Sequence, residues 1–116
     1  MARRAADAAV DMLSNVDLFD GLSRKELDLV RESSREHSFT AGSTIVQEGA
    51  PDKRFFLLLE GRAEVTVGGT LLRVIGQGAS FGEIGVLDGG PRTATITATS
   101  SVKALSIASF NLRALL

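Results

Sequence analysis

The chain has 116 residues, a formal net charge of −1, 44% hydrophobic residues, six Phe, and no Trp, Tyr or Cys. That length fits a single domain spanning 1–116, and the apolar content suffices for a packed core, which argues against global disorder. The balanced charge supplies no basic field for nucleic acid, and the lack of Cys rules out disulfides, thiolate nucleophiles and thiolate metal sites.

Residues 1–36 read as N-terminal helices. Met1-Ala2-Arg3-Arg4-Ala5-Ala6 is basic and apolar but is soon interrupted by Asp7 and Asp11, so it reads as helix rather than secretory signal. Ala6, Ala9, Val10 and Leu13 recur at i, i+3, i+4 and i+7, which marks one apolar helical stripe. The pattern breaks from Asn15 to Gly21. Ser23-Arg24-Lys25-Glu26 then has capping-box spacing, with Leu22 and Leu27 placed as a hydrophobic staple. A second helix is expected from about Arg24 to Arg35, with Leu27, Val30 and Leu29 inward.

From 37 to 108 glycines punctuate short runs rich in β-branched and large apolar residues: Ser43–Val46, Phe55–Leu59, Ala63–Val67, Leu71–Ile75, Thr93–Thr99 and Val102–Ile107. Such spacing predicts an antiparallel barrel or sandwich. Val67-Gly68-Gly69-Thr70 reads as a tight hairpin, and alternation puts Ala63, Val65 and Val67 on one inward face. From Ser109 to Leu116 the pattern is helical again and stops on an apolar stretch, which reads as a truncated C-terminal helix. No run of about 18 apolar residues is present, so no membrane span is expected and a cytoplasmic location is.

The most informative stretch is Ser80-Phe81-Gly82-Glu83-Ile84-Gly85-Val86-Leu87-Asp88-Gly89-Gly90-Pro91-Arg92-Thr93-Ala94-Thr95. Gly82 and Gly85 bracket a segment long enough for one helical turn, whose first amides suit an anion. Arg92 opens the next strand and can bind a phosphate through two parallel hydrogen bonds. Glu83 offers a carboxylate to a sugar hydroxyl. A cation, free amides and a carboxylate within ten residues suit a ligand with one phosphate and one ribose.

This stretch resembles the phosphate-binding cassette of the cyclic-nucleotide-binding domain family, found in catabolite-activator-type regulators, cyclic-nucleotide-dependent kinases and gated channels. The family pattern runs Phe-Gly-Glu, an apolar residue, Gly or Ala, apolar residues, a short loop, then Pro-Arg and a small residue before Ala. Each element is present from Phe81 to Ala94. The resemblance extends from about Leu18 to the end.

It implies an α+β fold: N-terminal helices, an antiparallel β-roll or jelly-roll barrel of about eight strands, a short cassette helix within 81–94, and the start of a C-terminal helix at 109–116. It implies a cyclic nucleotide as ligand, cAMP ahead of cGMP, no other cofactor and no catalysis. Gly82, Glu83, Ile84, Gly85, Arg92, Thr93, Ala94 and Val65 are the implied binding residues. Glu83 would hold the ribose 2′-hydroxyl, Arg92 and the Gly85 amide the cyclic phosphate, and Val65 the base. Thr at position 93 is able to contact the guanine 2-amino group in cGMP-preferring relatives, yet it also occurs in cAMP-preferring ones.

One departure stands out. Many relatives carry an Asp two residues before the first aromatic of the third strand, where it buttresses the cassette Arg. Here that place is held by Lys53, with Asp52 beside it.

The implied function is that of a regulatory sensor acting on an effector domain or protein outside this sequence. The alternative is a domain of the same fold that has lost nucleotide and serves as an interaction or dimerisation module. A barrel enzyme is disfavoured. His37 is the sole histidine, which speaks against a multi-histidine metal site; no carboxylate pair has acid–base spacing, and there is no nucleophile constellation or P-loop.

Overall fold

The computed structural model describes residues 2–51, 54–82 and 92–108. Two helices come first, α1 (Ala2–Ser14) and α2 (Arg24–Glu32), joined through a 3-10 turn at Asp17–Phe19. The expected capping box is present: the Ser23 hydroxyl accepts from the Glu26 amide at 3.1 Å, and the Glu26 carboxylate accepts from the Ser23 amide at 2.9 Å. Four donors at a helix start lack intrahelical partners, and this exchange satisfies one of them while tying down the cap residue itself. Arg24 donates to Asp11 at 2.6 Å across the two helices, an exposed pair worth less than about 1 kcal/mol.

Helix α2 ends three residues before the expected Arg35. Ser34 turns its hydroxyl onto the Arg31 carbonyl, and its amide bonds the same group at 3.1 Å, which closes the last turn. Leu29, expected inward, is 44% exposed, whereas Leu27 and Val30 are buried. The inward stripe is therefore narrower than the apolar content of the helix. Ala9, Val10 and Leu13 of α1 are buried as expected; the side chain of Ala6 lies outside the described residues.

Eight strands follow: β1 (Arg35–Phe39), β2 (Thr44–Val46), β3 (Arg54–Glu60), β4 (Ala63–Val67), β5 (Thr70–Ile75), β6 (Ser80–Phe81), β7 (Thr95–Ala98) and β8 (Val102–Ala108). They form two four-stranded antiparallel sheets, β1-β8-β3-β6 and β2-β7-β4-β5. Strands β1 and β6 were not foreseen. The Arg35–Phe39 run is too polar to read as strand alone and forms because β8 offers it a ladder from Ser106 to Val102. Two corrections concern register. Strand β7 begins at Thr95, so Arg92, expected to open it, precedes it together with Thr93 and Ala94. Val67, expected inward with Ala63 and Val65, is 36% exposed, because it is the last residue before the Gly68-Gly69 turn, where both glycines take positive φ (57° and 81°).

The central strands of the first sheet, β3 and β8, are buried on both faces, which explains the unbroken apolar run in β3. Phe55 and Leu57 face the helices together with Leu105 and Ile107, forming one core with Val10, Leu13, Phe19, Leu27 and Val30. Phe19 and Phe55 meet edge to face at 5.5 Å, a pairing worth about 0.5–1.5 kcal/mol beyond its area. Phe56 and Leu58 face the other way, into the barrel. There they pack with Ala104 of β8 and with Ile45, Ala63, Val65, Ile96 and Ala98 of the second sheet. The helices thus anchor one face of the first sheet and leave its other face to build the barrel interior.

Candidate ligand-binding site

The site is organised around Arg92, a polar residue only 6% exposed. Its main chain is fixed first. The Arg92 amide donates to the Ala50 carbonyl at 3.0 Å, and the Gly49 amide donates to the Arg92 carbonyl at 2.7 Å. Its side chain is fixed next, by a hydrogen bond from Nη2 to the main-chain carbonyl of Arg54 in β3. The guanidinium carbon then lies 5.8 Å from the centroid of the Phe56 ring, close enough for the ring face to favour a cation.

Phe56 carries more than Arg92. Phe81 of β6 stacks on it at 5.2 Å with 16° between planes, as expected for the paired register of Phe56 and Phe81. The guanidinium carbon of Arg54 lies 4.9 Å from its centroid. His37 of β1 sits 6.1 Å from it and exchanges a 2.7 Å hydrogen bond with the Ser106 hydroxyl. Burial and the neighbouring charges of Arg54 and Arg35 hold the His37 imidazole below its ordinary titration range. His37 therefore serves as a neutral packing and hydrogen-bonding group.

Gly82 passes directly over this assembly. Its φ of +94° is a conformation that L side chains avoid, and a Cβ there would collide with the Arg92 guanidinium and come within 2.7 Å of the Arg54 carbonyl. Glycine is required on both counts.

Of the residues picked out from the sequence, Gly82 lies against the Arg92 guanidinium, and Val65 and Ala94 belong to the barrel core that contains Phe56. Val65 is buried at 6% exposure in the same core as Phe56, with Ala94 and Phe81 packed against it. Thr93 is exposed. Glu83, Ile84 and Gly85 lie outside the described residues, as do Asp52 and Lys53, the 109–116 helix and the cassette turn.

Two contributors were missed by sequence reasoning: the Arg54 carbonyl and the Phe56 ring. The Arg54 carbonyl supports Arg92 at a point where a side-chain carboxylate had been sought. A main-chain acceptor leaves no residue-type signal, whereas Phe56 was legible only as core. Thr95, at the start of β7, helps hold the neighbouring turn by accepting from the Glu48 amide at 2.9 Å.

The arrangement is suited to holding an anion by a buried, pre-oriented cation. Among the described residues no group of His, Asp and Glu could hold a metal ion, and no helix is long and apolar enough to cross a membrane. A shallow cleft at the other end of the first sheet, bordered by Phe39, Glu60 and Lys103, lies away from Arg92. There Glu60 and Lys103 are ladder partners of opposite charge, so the cleft presents no single sign to a ligand.

Comparison with known proteins agrees with this geometry. The family model for the cyclic nucleotide-binding domain matches residues 36–116. A cAMP-dependent protein kinase regulatory subunit of Colletotrichum orbiculare is 33% identical over 99 residues, covering 84% of this chain and 25% of the relative. A cGMP-dependent protein kinase of Toxoplasma gondii is 33% identical over 95 residues, covering 82% of this chain and 10% of the relative. Among solved structures, cAMP-bound PfPKA-R (141–441) superposes with a TM-score of 0.86 at 26% identity, covering 100% of this chain and 41% of that one. The chain therefore spans a quarter or less of the two curated relatives it matches here.

Proposed function

Because the chain belongs to the cyclic nucleotide-binding domain family, we propose that it binds a cyclic nucleotide and acts as a regulatory sensor for an effector. The observation that carries this reading is the buried Arg92 guanidinium, held on the Arg54 carbonyl beneath Gly82. A guanidinium fixed in orientation presents parallel N–H donors, and a phosphate supplies two acceptor oxygens in matching geometry.

In this reading Arg92 neutralises the cyclic phosphate, aided by amides of the segment between Gly82 and Arg92, that of Gly85 among them. Glu83 accepts from the ribose 2′-hydroxyl, and Ile84 lines the turn that carries these groups. Val65 and Ala94 supply apolar surface beside the base, and the exposed Thr93 stands next to Arg92 in the chain, where its hydroxyl is available to the ligand. We place cAMP ahead of cGMP, supported by the cAMP-bound neighbour; the 33% identity to a cGMP-dependent kinase equals that to the cAMP-dependent subunit and does not separate the two. The role is binding rather than catalysis, and the whole of 1–116 acts as one sensor unit. Ligand binding tightens the cassette, and Val86 and Leu87 carry that change toward the 109–116 segment and the effector.

Isothermal titration of the purified chain with cAMP, cGMP and 5′-AMP tests the reading. Saturable binding of a cyclic nucleotide in preference to 5′-AMP is the expected result. Equal binding of 5′-AMP, or none by any of the three, counts against it.

A further inference from the structure

We propose that Arg54 is a second cation of the phosphate seat, so that the ligand's phosphate is held between two guanidinium groups, those of Arg54 and Arg92. This rests on the cyclic nucleotide reading above and names a further binding residue of the same site.

The alternation of β3 sets the direction of Arg54. Phe55 and Leu57 belong to the helix-side core, Phe56 and Leu58 to the barrel core, so Arg54 shares its face with Phe56. Its position confirms this: the Arg54 guanidinium carbon is 4.9 Å from the Phe56 centroid, nearer than that of Arg92 at 5.8 Å. Two cations are thus gathered around one aromatic ring, next to the place where Gly82 leads into the cassette. The backbone of the same residue also holds Arg92, through the hydrogen bond from Nη2 to the Arg54 carbonyl. Arg54 thus holds Arg92 through its main chain while its own side chain lies on the same aromatic ring.

The chemistry fits a cyclic phosphodiester. Its single negative charge is shared by two non-bridging oxygens, and each oxygen can accept from one planar guanidinium. Arg54 is half-buried rather than enclosed, so it remains within reach of an entering ligand while being less screened than a surface arginine. The field it adds is felt nearby, since Arg54 is one of the charges that keep His37 neutral.

The test uses Arg54→Met, which keeps the apolar stem over Phe56 and removes the charge, together with Arg54→Lys, which restores it. Each variant of the chain is titrated with the preferred cyclic nucleotide and with its nucleoside, which lacks the phosphate, at several salt concentrations. Arg54→Met is expected to bind the cyclic nucleotide about tenfold more weakly, with a shallower salt dependence and an unchanged nucleoside affinity. Arg54→Lys is expected to recover the salt dependence. Unchanged cyclic nucleotide affinity in Arg54→Met, or equal losses for nucleotide and nucleoside, overturns the assignment. A parent chain that binds no cyclic nucleotide overturns the sensor reading and this assignment with it. If Arg54→Met does not fold, Arg54→Gln takes its place, and unchanged cyclic nucleotide affinity in that variant has the same overturning force.

Discussion

The Arg92 side chain is held by the main chain of Arg54, 38 residues earlier in the sequence, through a hydrogen bond from Nη2 to a strand carbonyl. Because the acceptor is backbone, the contact survives any substitution of the Arg54 side chain that leaves β3 intact. The guanidinium itself is what cannot be replaced. Arg92→Ala is expected to abolish measurable binding, a loss of roughly 2–5 kcal/mol, with the fold retained. Calorimetric titration alongside circular dichroism checks both halves; an Arg92→Ala chain that binds like the parent would falsify the cassette assignment.

At Gly82 a single added methyl group would enter the candidate site. In Gly82→Ala the new Cβ meets the Arg54 carbonyl and the Arg92 guanidinium in a backbone conformation alanine avoids. Affinity for cyclic nucleotide should fall by more than about tenfold, a change of about 1.4 kcal/mol. The comparison is Gly69→Ala, where φ is +81° but nothing lies within 4 Å of the added Cβ. That variant should lose about 1 kcal/mol of stability from the strained conformation and keep its affinity. Equal affinities in the two variants would count against the role assigned to Gly82.

The capping box makes a prediction confined to stability. Ser23→Ala removes the acceptor for the Glu26 amide and should lower the unfolding free energy by about 1 kcal/mol. Nucleotide affinity should not change, since α2 packs on the face of the first sheet opposite the barrel interior. Urea titration and calorimetry together would expose any coupling between cap and site.

His37 gives the chain a defined acid limb. Burial and the charges of Arg54 and Arg35 lower its pKa on folding, so the unfolded chain binds more protons in the window just below the ordinary histidine value. Stability therefore rises with pH there. The contribution is complete above about pH 6.5, the unfolded value, and is lost as pH falls through the folded one. His37→Gln retains a partner for the Ser106 hydroxyl and should flatten the change in urea midpoint between neutral and mildly acidic pH. An unaltered acid limb in that variant would assign the titration to other groups.

Features governed by a few neighbouring residues were legible before any coordinates. Ser23 and Glu26, three apart, close a capping box by themselves, and two adjacent glycines between Val67 and Thr70 turn a hairpin without help from the rest of the chain. The period-two alternation of Ala63 and Val65, the stripe of Ala9, Val10 and Leu13, and the glycine-flanked order around Arg92 are likewise local. They sufficed to anticipate helices followed by an antiparallel barrel or sandwich. Gly82 and Arg92, both picked out from the sequence, lie against each other, and Val65 and Ala94 share the barrel core.

What only the tertiary structure decided was pairing between distant segments. Arg35–Phe39 becomes a strand because β8 supplies the ladder, against the polar character of its own residues. Leu29 is left exposed because the helix-side core is already filled by Leu27 and Val30, and Val67 because it is the last residue before the Gly68-Gly69 turn. The support of Arg92 belongs to the same class. Its acceptor is a main-chain carbonyl, which every residue possesses, and its aromatic neighbour Phe56 is indistinguishable in sequence from core. Local order is written in side-chain type and spacing, whereas a backbone acceptor acquires its role only when folding carries it to the donor.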